Sequence, residues 1–107
     1  MDAIRITIAT DFSDAPGGRY IKEGPFSGEA FREEILKPSY KRAIEENKKL
    51  FIDLDGCYGF PSSFLDESFG GIAREYGCQN ILKILEFKSL DQPSLVEVIK
   101  NIVEGKR

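Results

Sequence analysis

The sequence predicts an α/β fold: a single domain with a small mixed sheet, a parallel strand–helix–strand core and flanking helices. Three observations carry that prediction. Short β-branched and aromatic runs alternate with longer segments whose apolar residues recur at the helical spacing. Two strand-type runs flank a helical stretch in the second half, which implies parallel pairing through a helical crossover. The chain has 107 residues, 41% hydrophobic and 31% charged, enough for one core and too few for a separate cap or substrate domain. One domain over residues 1–107 is expected.

Each element has its own signal. In "AIRITIA", Ile4, Ile6 and Ile8 alternate at period two and predict the first strand. Residues 11–18 hold Asp, Ser, Pro and Gly, the residues of turns. "RYIKEG" reads as a short second strand, paired with the first as a loose hairpin. A helix is predicted after Ser27, with Phe31, Ile35 and Leu36 on one face. Pro38 disfavours helix at Lys37, so a kink or two consecutive helices is expected before Tyr40, Ala43 and Ile44 continue the face. "KLFIDLD" is the next strand; Phe51, Ile52 and Leu54 suit a central strand covered on both faces.

"SFLDESFGGIAREYG" predicts a second helix with Phe64, Leu65, Phe69, Ile72, Ala73 and Tyr76 as its apolar side and Gly77 as its cap. Gly70 and Gly71 fall inside it, where each glycine costs about 0.8–1 kcal/mol relative to alanine. Close backbone packing within the domain is the expected reason. "NILKILEF" reads as a strand, and residues 81–87 are expected to lie parallel beside residues 49–55. The last helix carries Leu95, Val98, Ile99, Ile102 and Val103 as its buried stripe, with Pro93 near its first turn.

Composition excludes several functions. The net charge of −3, with Lys and Arg scattered, argues against nucleic acid as a partner. The absence of histidine removes the commonest general base and metal ligand. Cys57 and Cys78 match no zinc spacing. No signal peptide and no run of membrane-spanning length is read from the sequence. With two free structural cysteines, the expected compartment is the reducing cytoplasm, and no metal or cofactor is expected.

The stretch "LFIDLDGCYGFPSSF" supports two chemistries. An apolar run ending in Asp53-x-Asp55-Gly is the arrangement of a haloacid-dehalogenase-type phosphatase, with Asp53 as nucleophile and Asp55 as acid/base and magnesium organiser. That reading lacks its later partners: 107 − 53 = 54 residues follow Asp53, with no paired aspartates after a later strand, and Cys57 stands where those enzymes place a threonine. Otherwise Asp53 and Asp55 simply organise the turn after a strand. The second chemistry belongs to the serines. Ser63 with Asp66 has the form of a capping box, Asp replacing Glu. Ser62 lies just outside that helix, where a phosphate would meet unpaired N–H groups. Ser27 also opens a helix. Ser27, Ser62 and the loop "DGCYGFP", with Asp55, Tyr58, Phe60 and neighbouring Phe64, are expected to share a partner-binding surface; the alternative is that Phe60 and Phe64 close the top of the core.

"LFIDLDGCYGFPSSFLDESFGGI", preceded by "GRYIKEGPFSGEAFREEILKP", resembles the bacterial STAS-like domains of unknown function, over about residues 17–87. The resemblance implies the fold of the STAS anti-sigma-factor antagonists, in which a strand and loop lead to Asp-Ser-Ser-Gly at a helix start. There the first serine is phosphorylated by a kinase-type ATPase, and this controls partner binding. Ser62 matches that serine by position. Pro61 stands where the antagonists carry aspartate, and Phe64 where they carry glycine. The resemblance implies a non-catalytic regulatory module whose partner is an ATP-binding kinase-type or anti-sigma-type protein. The alternatives are a small-anion or nucleotide sensor at the Ser62 helix end and a magnesium-dependent phosphohydrolase using Asp53 and Asp55.

Overall fold

A computed structural model describes residues 3–106. Three strands form one parallel sheet in the order β1 (Ala3–Thr7), β2 (Lys49–Asp53), β3 (Leu85–Lys88). Ile4 pairs with Leu50 and Leu50 with Leu85, which puts Ile4, Ile6, Leu50, Ile52 and Leu85 on one buried face. Arg5 and Glu86 point the other way and are exposed. Phe51 lies between them, half-buried, with the Arg5 guanidinium 4.8 Å above its ring. β2 is the central strand, as expected, but Arg5 rather than a second apolar layer shields its outer aromatic.

Among the described residues the sheet is parallel throughout, not mixed, because the expected hairpin strand is absent. Ile21–Glu23 is instead a 3₁₀ turn. The Glu23 carboxylate accepts the backbone N–H groups of Arg19, at 2.6 Å, and Tyr20, at 3.3 Å, so the segment's donors are used locally. Those two N–H groups hold Glu23 below its ordinary carboxylate pKa. A short helix, α1 (Ile8–Asp11), follows β1.

Two long helices carry most of the core. The first, α2 (28–46), is continuous through Gly28–Phe31, a wide π turn at Arg32–Leu36, and Lys37–Glu46. Pro38 does not split it into two helices: the wide turn lies immediately before, and makes room for a ring that has no N–H to donate. Asn47, left-handed at φ 55°, ends the helix. The second, α3 (62–76), has its own wide turn at Asp66–Gly70. There the Ser68 hydroxyl donates to the Phe64 carbonyl at 2.7 Å and competes with the backbone for it. Phe31, Phe64 and Phe69 stack between the two helices, with centroids 5.8 and 6.0 Å apart.

Gly77, at φ 95°, ends α3 and starts α4 (Cys78–Ile84) at once. The strand read over residues 81–87 is therefore only Leu85–Lys88; Ile81 to Ile84 stay helical, with Ile81 fully buried. Its parallel pairing beside β2 is as expected. The final helix, α5 (Ser94–Val103), buries Leu95, Ile99 and Val103. Val98 is 42% exposed, contrary to expectation, and Ile102 is half-buried.

Candidate functional site

In a parallel sheet the carboxyl ends of all strands share one edge, and the connecting loops gather there. Here those are the loop of residues 12–27, the loop of residues 54–61, and the turn after β3. The first two are tied by the Tyr58 N–H on the Asp14 carbonyl at 2.8 Å, and Cys57 Sγ lies 3.5 Å from the Ser13 carbonyl.

Asp53 and Asp55 are used by this scaffold. Asp53 Oδ1 accepts the Asp55 N–H at 2.9 Å, the side chain organising its own turn. Asp55 Oδ1 accepts the Asp91 N–H at 2.8 Å, and Asp91 Oδ2 accepts the Gly56 N–H at 3.0 Å, a reciprocal clasp between two loops. Lys88 Nζ stands 3.6 Å from Asp53 and 3.8 Å from Asp55. Among the described residues no group of three or more His, Cys, Asp and Glu side chains is placed to hold a metal ion. Asp55 thus takes part in the loop clasp.

The serines separate sharply. Ser27 is fully buried, and its hydroxyl oxygen caps α2 by accepting the Ala30 N–H at 3.1 Å. It is not on the surface expected for it. Ser63 does not cap α3. Pro61 occupies that position with extended backbone, no side-chain cap bond is made there, and both serines lie inside the first turn. Asp66 cannot complete a capping box because it is held elsewhere: Arg19 Nη1 is 2.6 Å from one carboxylate oxygen and Arg74 Nη1 is 3.4 Å from the other. Phe64 is fully buried, so the reading in which it closes the core is correct, and Phe60 packs half-buried beside it at 6.0 Å between ring centroids. Tyr58 alone of these aromatics stands out, 88% exposed. It shares a shallow depression of about 410 Å³ with Ala15, Pro16, Phe60 and Pro61.

Ser62 is exposed, and while its carbonyl accepts the Asp66 N–H, its hydroxyl forms no hydrogen bond among the described residues. It opens onto a groove of about 400 Å³ between the start of α3 and the outer side of α5. Arg19, Asp66 and Lys106 supply the charges there, and Val98 and Ile102 the apolar wall. This explains Val98: the groove keeps one edge of the α5 stripe in solvent. Sequence reading missed Arg19 and Lys106, which lie far from Ser62 along the chain and belong to no motif.

An ion network backs the groove. Arg32, only 15% exposed, bonds both the Glu67 carboxylate, at 2.7 Å, and the Glu67 carbonyl, at 2.6 Å. Burial opposes the Arg32 charge, but the Glu67 and Glu33 carboxylates outweigh it and raise the guanidinium's pKa. Arg19 is raised chiefly by its hydrogen bond to Asp66. The helices meet where side chains are absent: a Cβ on Gly28 would stand 2.6 Å from the Phe64 carbonyl oxygen, and one on Gly71 2.5 Å from Arg32 Nη1. The glycines of α3 therefore do serve packing inside the domain.

Among the described residues no helix is long and apolar enough to cross a membrane. A family model described as a STAS-like domain of unknown function matches residues 27–95. No curated protein and no solved structure matches the chain.

Proposed function

The chain belongs to this family of STAS-like domains, and we propose on that premise that it is a non-catalytic regulatory module that binds a protein partner through the face around Ser62. Ser62 is the phosphoacceptor in this reading, and the partner is an ATP-binding protein of the kinase or anti-sigma type. One observation supports it above others: Ser62 and Ser94 are the exposed serines at helix starts, and of the two Ser62 is the one that lines a groove with two cationic side chains, its hydroxyl without a hydrogen bond among the described residues. Nearby apolar groups offer contact area. Tyr58, Tyr20, Ile21 and Phe26 are 88%, 42%, 50% and 45% exposed on the two loops that flank it.

A phosphate adds about −1.5 to −2 charge at this position. A partner that buries the start of α3 would have to desolvate that charge, which costs several kcal/mol, of order 3–5, when it is left unpaired. Ser62→Asp is therefore expected to weaken binding to the protein that co-purifies with the chain by tenfold or more, about 1.4 kcal/mol, while Ser62→Ala binds like wild type. Calorimetric titration of the purified partner checks this, and equal affinities for wild type and Ser62→Asp would remove the switch. The non-catalytic part has its own test. Turnover of a phosphomonoester with magnesium is expected to be absent, and turnover that disappears in Asp53→Asn would overturn it.

A further inference from the structure

We propose that Arg19 is the internal reader of a phosphate on Ser62: the phosphate takes Arg19 from Asp66, and the loop of residues 12–27 responds. This rests on the reading of Ser62 as phosphoacceptor. In the transfer itself the γ-phosphoryl group of ATP passes to Ser62 Oγ. The Oγ–P bond forms as the bond to ADP breaks, and the hydroxyl proton leaves to a base of the kinase.

Three observations carry the hand-over. Arg19 and Ser62 line the same groove, so the guanidinium and the new phosphate share one space. Arg19 is the exposed partner of its ion pair: its side chain is 32% accessible against 12% for Asp66, so the arginine can swing while the aspartate stays. Asp66 keeps Arg74, with Nη1 at 3.4 Å from its carboxylate and Nη2 at 3.3 Å from its carbonyl, and Glu67 keeps Arg32 at 2.7 Å. Arg19 can therefore leave without stranding either carboxylate. Arg19 Nη1 now lies 2.6 Å from Asp66 and 3.5 Å from Glu67; a phosphate dianion accepts both arms of the guanidinium and outcompetes these contacts through one arm. Lys106 stands on the opposite wall, already 3.1 Å from Glu104. It adds attraction to the phosphate from beside α5.

Arg19 is more than a charge. Its N–H is held by Glu23 at 2.6 Å, its carbonyl accepts the Glu29 N–H at 3.0 Å, and the neighbouring Gly18 carbonyl accepts the Gly28 N–H at 2.9 Å. The side chain is the strut from this turn to α3. Moving it loosens the turn that displays Tyr20 and Ile21, and so alters a surface that a partner would touch.

The test uses the full chain carrying phosphoserine at position 62, installed during synthesis so that no kinase is needed. Phosphorus NMR is expected to find the phosphate's second pKa about one unit lower in wild type than in Arg19→Gln, with Arg19→Lys in between. Amide exchange at residues 19–23 is expected to be several-fold faster in the phosphorylated chain than in the unmodified one. The same pKa with and without Arg19, or unchanged exchange, would overturn the proposal. So would inorganic phosphate producing the same exchange change on the unmodified chain at low millimolar concentration, which would make the groove a site for free anions. Should Arg19→Gln fail to fold, the exchange comparison in wild type decides alone. Partner affinity measured on the same samples separates the two ideas. Weakened binding without the hand-over sinks this inference only, and the hand-over with unchanged binding sinks the phosphoswitch.

Discussion

Ser27 and Ser62 both open a long helix after a proline-containing loop, and they end in opposite environments. Ser27 is fully buried with its hydroxyl spent on the Ala30 N–H at 3.1 Å; Ser62 is exposed, with Pro61 in the capping position instead. The difference comes from what each helix start packs against. The first residue of α2 is Gly28, pressed so close to α3 that a Cβ would meet the Phe64 carbonyl oxygen at 2.6 Å. The start of α3 faces a groove. The residue type is the same; contact decides which serine is buried and which is exposed.

The largest effect should come from breaking the buried side of that comparison. Gly28→Ala puts a methyl against a backbone oxygen at 2.6 Å and against Glu67 Cβ at 2.9 Å. A backbone group in a helix cannot rotate away, so the helices must separate, at about 1–3 kcal/mol. For a domain of this size that is a drop in melting temperature of about 4–8 °C per kcal/mol. An unchanged melting curve would mean that the contact yields freely, and that Ser27 is less confined than its burial implies.

Ser27→Ala is next. It removes the cap and leaves the Ala30 N–H, whose residue is 1% exposed, without that partner. The expected loss is about 1–2 kcal/mol, measurable by urea titration. Ser62→Ala and Ser63→Ala should each stay within about 0.5 kcal/mol of wild type, because neither hydroxyl caps α3. A loss near 1 kcal/mol in Ser63→Ala would restore the capping box that the spacing from Ser63 to Asp66 suggested.

That spacing shows where sequence reasoning ends. The apolar runs gave β1 and β2 because their period is local, and the stripe of α3 from Phe64 to Ala73 is buried as predicted. "RYIKEG" failed because Glu23 folds back onto two N–H groups, a local bond that composition does not announce. "NILKILEF" failed over its first half because Gly77 at φ 95° restarts a helix, so the same apolar residues serve two periods in succession. The wide turns followed from Pro38 and Ser68 acting on particular carbonyls, not from propensity. At the site, Ser62 was legible because its neighbours are its own sequence. Arg19 and Lys106 were not, since only tertiary packing brings residues so distant in the chain to one groove.

The last prediction, on a rate rather than on stability, asks whether openness, rather than residue type, governs reactivity around Ser62. Cys57 lies in the loop that leads to that serine, yet it is the closed group of the pair, half-buried with its Sγ 3.5 Å from the Ser13 carbonyl. Burial, with Asp14 and Asp53 adding negative charge, pushes its pKa up from 9.0 to about 11. Near pH 8 that leaves about a hundredfold less thiolate than an ordinary cysteine offers. A more basic thiolate is a better nucleophile, which returns about tenfold at a Brønsted slope of ~0.45. The net expectation is alkylation of Cys57 about tenfold slower in the folded chain than in urea. It is measured with iodoacetamide and mass spectrometry on Cys78→Ser so that a single thiol reports. The sign fixes the pH profile as well: because folding raises the pKa, the folded-state rate should keep rising past pH 9 toward about 11, while the rate in urea levels off near 9.0. Equal rates and equal profiles would show the loop open on the timescale of alkylation. Cys57 and Ser62 would then be alike in access, and the contrast drawn from burial would fail at its most sensitive point.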